Sequence, residues 1–296
     1  MKTSFKLLAG LAVGFWAAIF VAGRAQADDE LALTGTNVPA GLFHGLDARS
    51  AYFRDFFPTP LLVDETSLEG DGELELGSQS TRAGVQRSDT VTAAFQKSFG
   101  VLTVELAVPY EWESDSDDSA QGVGNLELGA RYPLYQWVSA AGGVDTTMGV
   151  AMNAEVPVNS AVSENTELDP EVFNDLRIGD HFSLQSVFGY STLLGGGSGL
   201  QTFEYGFDFG WPIPHRELPL PGVRQFTPMF ELSGETELNQ GEAGQNNVLG
   251  SLGFRLALKP WGGLDPDLGI GYLFPLDAAA REEVHWGIAT SLTLEF

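Results

Sequence analysis

The chain contains no cysteine, four histidines, and only 15 basic side chains against 40 acidic ones in 296 residues. Without cysteine there is no disulfide framework and no thiolate zinc or redox centre. The shortage of Lys and Arg, at a formal charge of −25, argues against a nucleic-acid partner, because phosphate neutralisation needs clustered cations. Long hydrophobic runs are also missing once the N-terminus is passed: after Ala22 no apolar stretch approaches the ~20 residues that a spanning helix needs. A helical membrane bundle is thereby excluded. Intrinsic disorder fits poorly, since 43% of residues are hydrophobic and 20 Phe, 7 Tyr and 6 Trp supply material for burial.

The one apolar run that is present reads as an export signal. Lys2 and Lys6 precede an apolar stretch over residues 7–22, and Ala25-Gln26-Ala27 offers a small-x-small cleavage site. A cleaved signal peptide over residues 1–27 is expected, with the mature chain beginning at Asp28. The alternative, a retained anchor, is opposed by the shortness of the run and the lack of a stop-transfer flank. An exported chain without spanning helices is either a soluble β protein or an outer-membrane barrel.

Alternation decides between them. In the last segment Val284, Trp286, Ile288, Thr290, Leu292, Leu294 and Phe296 share one face, and His285, Gly287, Ala289, Ser291, Thr293 and Glu295 the other. Leu102, Val104, Leu106, Val108, Tyr110 and Trp112 likewise oppose Thr103, Glu105, Ala107, Pro109 and Glu111. Phe203, Tyr205, Phe207, Phe209 and Trp211 oppose Glu204, Gly206, Asp208 and Gly210. A strand through lipid needs ~10 such residues, whereas strands of soluble sheets average ~5–6. Glycine and charge share a face each time, which suits a narrow lumen. Aromatics near strand ends suit interfacial girdles.

The expected fold is therefore all-β: a transmembrane antiparallel β-barrel of about twelve strands, near 67–78, 88–98, 101–112, 122–135, 144–157, 171–178, 181–192, 201–213, 224–235, 247–258, 264–275 and 284–296. Ten strands is the fallback, because Asp71 and Gly72 interrupt the first segment and Asn174 falls on the apolar face of the sixth. Longer polar loops are expected around 79–87, 113–121, 158–170, 193–200, 236–246 and 276–283. Residues 28–66 fit no strand template and form a separate periplasmic or plug segment before the barrel of residues 67–296, with an amphipathic helix near 47–57. Three fates are open to this segment: filling the lumen, lying on the rim, or leading loosely into the barrel.

The parities send Glu105, Glu111, Glu127, Glu155, Glu204, Asp208, Glu231 and Glu235 into the lumen together with Arg131 and Arg255. Unpartnered carboxylates are prohibitive in a dry interior, so water, counter-ions or Arg pairs must accompany them. An open acidic pore would favour cations. In the alternative, the two arginines sit in carboxylate networks that brace a closed barrel.

No motif asks for a cofactor, a metal or catalysis. The run Glu113-Ser114-Asp115-Ser116-Asp117-Asp118 fails the EF-hand pattern, with Ala120 at the glycine position and Leu126 at the terminal glutamate position. Gly195-Gly196-Gly197-Ser198-Gly199-Leu200 is no nucleophile elbow. His44, His181, His215 and His285 stand in no recognisable triad or metal spacing, so the chain is expected not to be an enzyme.

The ending Ser291-Leu292-Thr293-Leu294-Glu295-Phe296 resembles the C-terminal signal of bacterial outer-membrane barrels, with Leu292, Leu294 and Phe296 as its apolar positions. That resemblance implies recognition by the outer-membrane assembly machinery. Gly72-Glu73-Leu74-Glu75-Leu76-Gly77, Gly122-Val123-Gly124-Asn125-Leu126-Glu127-Leu128-Gly129-Ala130-Arg131-Tyr132, Phe226-Thr227-Pro228-Met229-Phe230-Glu231-Leu232 and Gly269-Ile270-Gly271-Tyr272-Leu273-Phe274-Pro275-Leu276 are similar to an outer-membrane family named for the meta-pathway of phenol degradation. The resemblance covers most of residues 65–296 and implies a transporter-like barrel in the outer membrane of a Gram-negative bacterium, passing a small, hydrophobic or aromatic molecule. The expected partners are outer-membrane lipid, the assembly machinery and that small molecule. The alternative function is a non-transporting structural or surface-interaction barrel.

Overall fold

The computed structural model describes residues 56–66, 72–115, 118–139, 143–158, 162, 165–194, 199–239 and 243–296. Its strands are β1 (Gly72–Ala83), β2 (Gln86–Phe99), β3 (Leu102–Ser114), β4 (Ser119–Val123), β5 (Leu126–Val138), β6 (Val144–Val156) and β7 (Thr166–Ile178). They continue as β8 (Phe182–Leu194), β9 (Gln201–Gly210), β10 (Ile213–Pro214), β11 (Val223–Glu237), β12 (Asn246–Leu258), β13 (Asp265–Pro275) and β14 (Trp286–Glu295), with a one-turn helix α1 (Ala280–Glu283) before the last. Both β4 and β5 pair with β3, and both β9 and β10 pair with β11, so each couple is one interrupted stave. The result is twelve antiparallel staves. β14 pairs with β1 from Glu73↔Glu295 to Arg82↔Trp286, which closes the sheet into a barrel without free edges.

The alternation expected from the sequence is seen side chain by side chain. In β13 Leu268, Ile270 and Tyr272 are exposed on the outside, while Gly269, Gly271 and Leu273 are buried. In β14 Trp286 and Ile288 face out, and Ala289, Ser291 and Thr293 face in. A water-soluble domain does the reverse. Thirteen-residue strands such as β3, at ~3.4 Å per residue and a tilt of ~45°, rise roughly 30 Å, enough to cross a bilayer core. Outward rings reinforce the belt: Tyr110 lies 4.5 Å from Trp112, Phe209 6.0 Å from Phe230, and Tyr272 6.2 Å from Phe274, centroid to centroid.

The differences from the sequence reading have local causes. Residues 79–87 are not a long loop: β1 runs to Ala83 and turns at Gly84-Val85, with Gly84 at φ 63°. Its outer half carries Ser78, Ser80 and Arg82 in place of apolar residues, and these are held across the ladder, Ser78 Oγ lying 2.9 Å from Thr290 Oγ1 and Arg82 Nη1 3.0 Å from Asp89 Oδ1. β7 starts at Thr166 and not at residue 171; Pro170 is tolerated because the β7–β8 ladder leaves Asp169 and Pro170 unpaired. Asn174 on the outward face is buried and satisfied, its amide donating to Thr146 Oγ1 at 2.6 Å and to the Thr147 carbonyl at 2.9 Å. Within the expected loop 276–283 the chain forms α1. The expected signal peptide, most of the helix near 47–57 and residues 67–71 lie outside the described residues.

Residues 56–66 lie inside the barrel. Val63 packs with Ala151, Phe173 and Val187. Glycines of the wall make room for the segment: a Cβ on Gly206 would sit 2.3 Å from Val63 Cγ1, and one on Gly269 2.8 Å from Leu61 Cδ2. Gly206, Gly210, Gly269 and Gly271 are therefore the negative image of a second piece of chain.

Gly206→Ala is expected to displace residues 56–66 while leaving the staves intact. Limited chymotryptic cleavage around Phe56 to Leu62 should accelerate, with unchanged heat-modifiable migration on gels. Gly149→Ala, whose Cβ would meet the Tyr132 carbonyl oxygen at 2.6 Å and the Phe173 ring, is instead expected to lower barrel stability in urea by about 1–3 kcal/mol.

Candidate functional site

Six inter-stave connections, including the two-residue turn after β1 and the segment carrying α1, lie at one end of the barrel, the loop end; both described termini lie at the other. Residues 59–65 cross between these ends and form the floor of a cavity of about 800 Å³. Its lining brings together Asp64, Glu65, Glu75, Glu105, Glu127, Glu155, Glu167, Asp169, Glu204, Glu235 and Glu283, with Arg131 as the one basic side chain among them.

Register explains the crowding. Glu127 lies opposite Glu155, and Glu155 opposite Glu167, so three glutamates stand side by side on β5, β6 and β7. Glu204 faces Glu235 across β9 and β11 in the same way. Like charges directly across a ladder are destabilising. The cavity in front of them leaves room for water, and a few donors reach them, such as Asn125 Nδ2 at 2.9 Å from Glu155 Oε2.

The floor is tied to the wall by buried polar groups. Glu231, fully buried on β11, accepts the Leu61 and Leu62 backbone N–H groups at 2.6 and 2.8 Å. Arg255 on β12 is 1% exposed and donates to the Pro60 carbonyl at 3.0 Å, to Asp267 Oδ1 at 3.2 Å and to Thr293 Oγ1 at 3.2 Å. Gln185 on β8 donates to Asp208 Oδ2 at 3.0 Å and to the Pro58 carbonyl, and accepts from the Thr66 hydroxyl at 2.8 Å, which also reaches Asp175. On the opposite wall Arg131 pairs with Glu105, lies 3.4 Å from Glu65 and donates to Gln96 Oε1 at 3.0 Å, while the Gln96 amide donates to Glu65. Burial raises the Glu65 carboxyl above the ordinary glutamate range, against the lowering pull of Arg131.

The lumen residues expected from the alternation thus fall into two groups. Glu105, Glu127, Arg131, Glu155, Glu204 and Glu235 line the cavity. Asp208, Glu231 and Arg255 point inward but lie under residues 58–62, where they hold the segment and meet no open space. Glu111 is apart from both groups, its carboxylate folded over Gly124 at the break between β4 and β5. The sequence reading does not include Glu75, Glu167, Asp169 or the segment's own Asp64 and Glu65. Glu75 has the parity of Glu73 and Gly77 in a motif already visible; Asp169 was hidden by the late start assigned to its strand. At the C-terminus Leu292 and Leu294 pair with Leu76 and Leu74, and Phe296 stacks on Phe95 at 6.4 Å.

The described histidines are dispersed. His181 has Nε2 3.3 Å from Glu217 Oε2 and Nδ1 2.9 Å from the Pro212 carbonyl oxygen, and stacks on Trp211. His285 Nδ1 accepts the Gly84 backbone N–H at 3.2 Å. His44 lies outside the described residues.

No protein-family model matches the chain, and no curated protein matches it by sequence. Among solved structures it is similar to an outer membrane channel from Pseudomonas putida F1, with a TM-score of 0.48 and 11% identity over 80% of this chain and 98% of that one. It is also similar to the NanC porin, with a TM-score of 0.44 and 8% identity over 75% of this chain and 98% of that one. The outer membrane phospholipase A of Escherichia coli gives a TM-score of 0.36 and 10% identity over 76% and 96% of the two chains. At these identities and scores the likeness extends to barrel form alone, and that form hosts channels and an enzyme alike.

Replacing Arg131 with Met leaves Glu65, Glu105 and Gln96 facing one another without their shared cation. Breaking such a buried pair costs about 3–5 kcal/mol, and urea unfolding of the refolded protein should show a loss of that order. Glu105→Gln should cost less, because Arg131 keeps Glu65 and Gln96.

Proposed function

We propose that the protein is an outer-membrane channel whose acidic vestibule gathers small cations at the loop end and whose residues 56–66 plug the lumen. The observation that carries this reading is the cavity lining, eleven carboxylates against a single guanidinium. Fixed charge of one sign in a water-filled barrel concentrates ions of the other sign and repels its own. The outward belt of Leu, Val, Phe, Tyr and Trp supports a location in lipid. Export by residues 1–27 and assembly through Leu292, Leu294 and Phe296 belong to the same reading.

The vestibule favours a small organic or inorganic cation over a neutral hydrophobic molecule, because carboxylates dominate its lining and Tyr205 is the one aromatic residue among them. A second reading rests on a different observation. The bonds from Glu231, Arg255, Gln185 and Arg131 to residues 58–66 are those of a permanently filled barrel, a structural or surface-interaction role without transport.

Planar-bilayer recording of the refolded protein distinguishes the two. The channel reading expects cation-selective current, a several-fold larger conductance in Glu231→Ala and Arg255→Ala, and a reversal potential moved toward zero when Glu127, Glu155 and Glu167 are together changed to Gln. Silence from the wild type and from both plug-releasing variants would establish the filled barrel.

A further inference from the structure

We propose that Asp64, Asp169 and Glu171 form a binding site for a hard divalent cation that fastens the N-terminal segment to the barrel wall. Each offers a carboxylate oxygen, and these oxygens lie within 4.8 Å of one another. Asp64 comes from the segment; Asp169 and Glu171 share the inward face of β7.

Crowding of acids is not by itself a site. Here two of the acids are also buried and incompletely satisfied: Asp169 is 8% exposed and Glu171 4% exposed, and Asp169 Oδ1 and Glu171 Oε1 are enclosed without a hydrogen-bond partner. Among the described residues no basic side chain forms an ion pair with any of the three, and Arg131, farther along the wall, is committed to Glu65 and Glu105. A dehydrated carboxylate oxygen without a donor requires a positive charge or a proton. Either a cation lies between these groups or Asp169 and Glu171, which are close enough to hydrogen-bond, share a proton.

The wall is shaped for this arrangement. Gly189 stands opposite Glu171 on β8, and its missing Cβ would lie 2.6 Å from Asp169 Oδ1. Only glycine lets the Asp169 carboxylate lie across the neighbouring strand toward Glu171. On the far side of Gly189 the register places Glu204, whose charge adds to the repulsion on Asp169 and Asp64 that a cation would relieve. An all-oxygen donor set with no imidazole or thiolate suits calcium or magnesium. Calcium accepts irregular sets of six to eight oxygens, completed here by vestibule water, and is favoured over magnesium, which demands near-octahedral geometry.

The inference does not depend on solute passing the barrel, and its test reads binding and not current. The full chain, stripped with chelator and held in detergent, is titrated with calcium alone by calorimetry, with magnesium as competitor. One saturable site is expected. Asp64→Asn and Glu171→Gln should each weaken it at least tenfold, and Gly189→Ala should weaken it with every carboxylate retained. Glu282→Gln, an exposed residue of α1 that removes the same charge, should leave affinity within twofold. Calcium should also slow chymotryptic cleavage of residues 56–62 severalfold in the wild type and not in Asp64→Asn, while heat-modifiable migration confirms that each variant is folded. Equal uptake by wild type and variants would mean diffuse counter-ions only. Absence of saturable uptake would mean a shared proton. Saturable binding that leaves cleavage of the segment unchanged would remove the fastening role. Each of these three results overturns the proposal.

Discussion

The seam between β1 and β14 is the contact on which the rest of the molecule depends. Opened there, the sheet would present two edges of unpaired N–H and C=O groups to whatever surrounds it, a cost no hydrocarbon environment tolerates. Closed, it divides space into two solvents, and each stave must then satisfy both with alternate residues. Leu268, Ile270 and Tyr272 against Gly269, Gly271 and Leu273 is that division written on one strand. The apolar belt, the aromatic positions and the polar interior are all consequences of closure.

Closure also creates the interior's problem, because a twelve-stave cylinder has more inward surface than its own side chains fill. The chain answers by returning part of itself to the lumen. Residues 56–66 bring backbone N–H groups to Glu231, carbonyls to Arg255 and Gln185, and a hydroxyl to Asp175. Buried polar groups on the lower wall thereby find partners in protein, while most of the carboxylates on the upper wall line the cavity. One acidic surface thus serves two purposes, divided by the height at which the segment crosses.

The barrel was legible in the sequence because strand periodicity is two and the membrane enforces it over long segments. Twelve staves and most of their boundaries follow from that rule alone. It fails where the rule loses contrast: in Ser78 to Arg82, where both faces are small or polar, and at Asp169-Pro170, where proline interrupts the pattern. Parity likewise tells which way Glu231 and Arg255 point but not what they meet. A side chain directed into a lumen touches water or protein according to the path of residues 56–66, and no period marks that path. Asp64, Glu65 and Thr66 acquire meaning only through residues more than a hundred positions away, except for Glu65 with Gln96 and Arg131.

The bond between Pro60 and Arg255 bears on how such a barrel closes. The seam joins the first and last strands, and in an unstructured polypeptide its closure spans more than 200 positions. Once Pro60 is held by Arg255, β1 begins a dozen residues from a fixed point on β12, and the loop left to close shrinks to about a quarter of its length. Loop entropy falls by about 1 kcal/mol for two halvings, and the same anchor holds the first strand beside the region where the last one must arrive. The Pro60–Arg255 contact itself closes 195 positions, so the segment inside the lumen divides the long closure of the barrel into one long step and one short one.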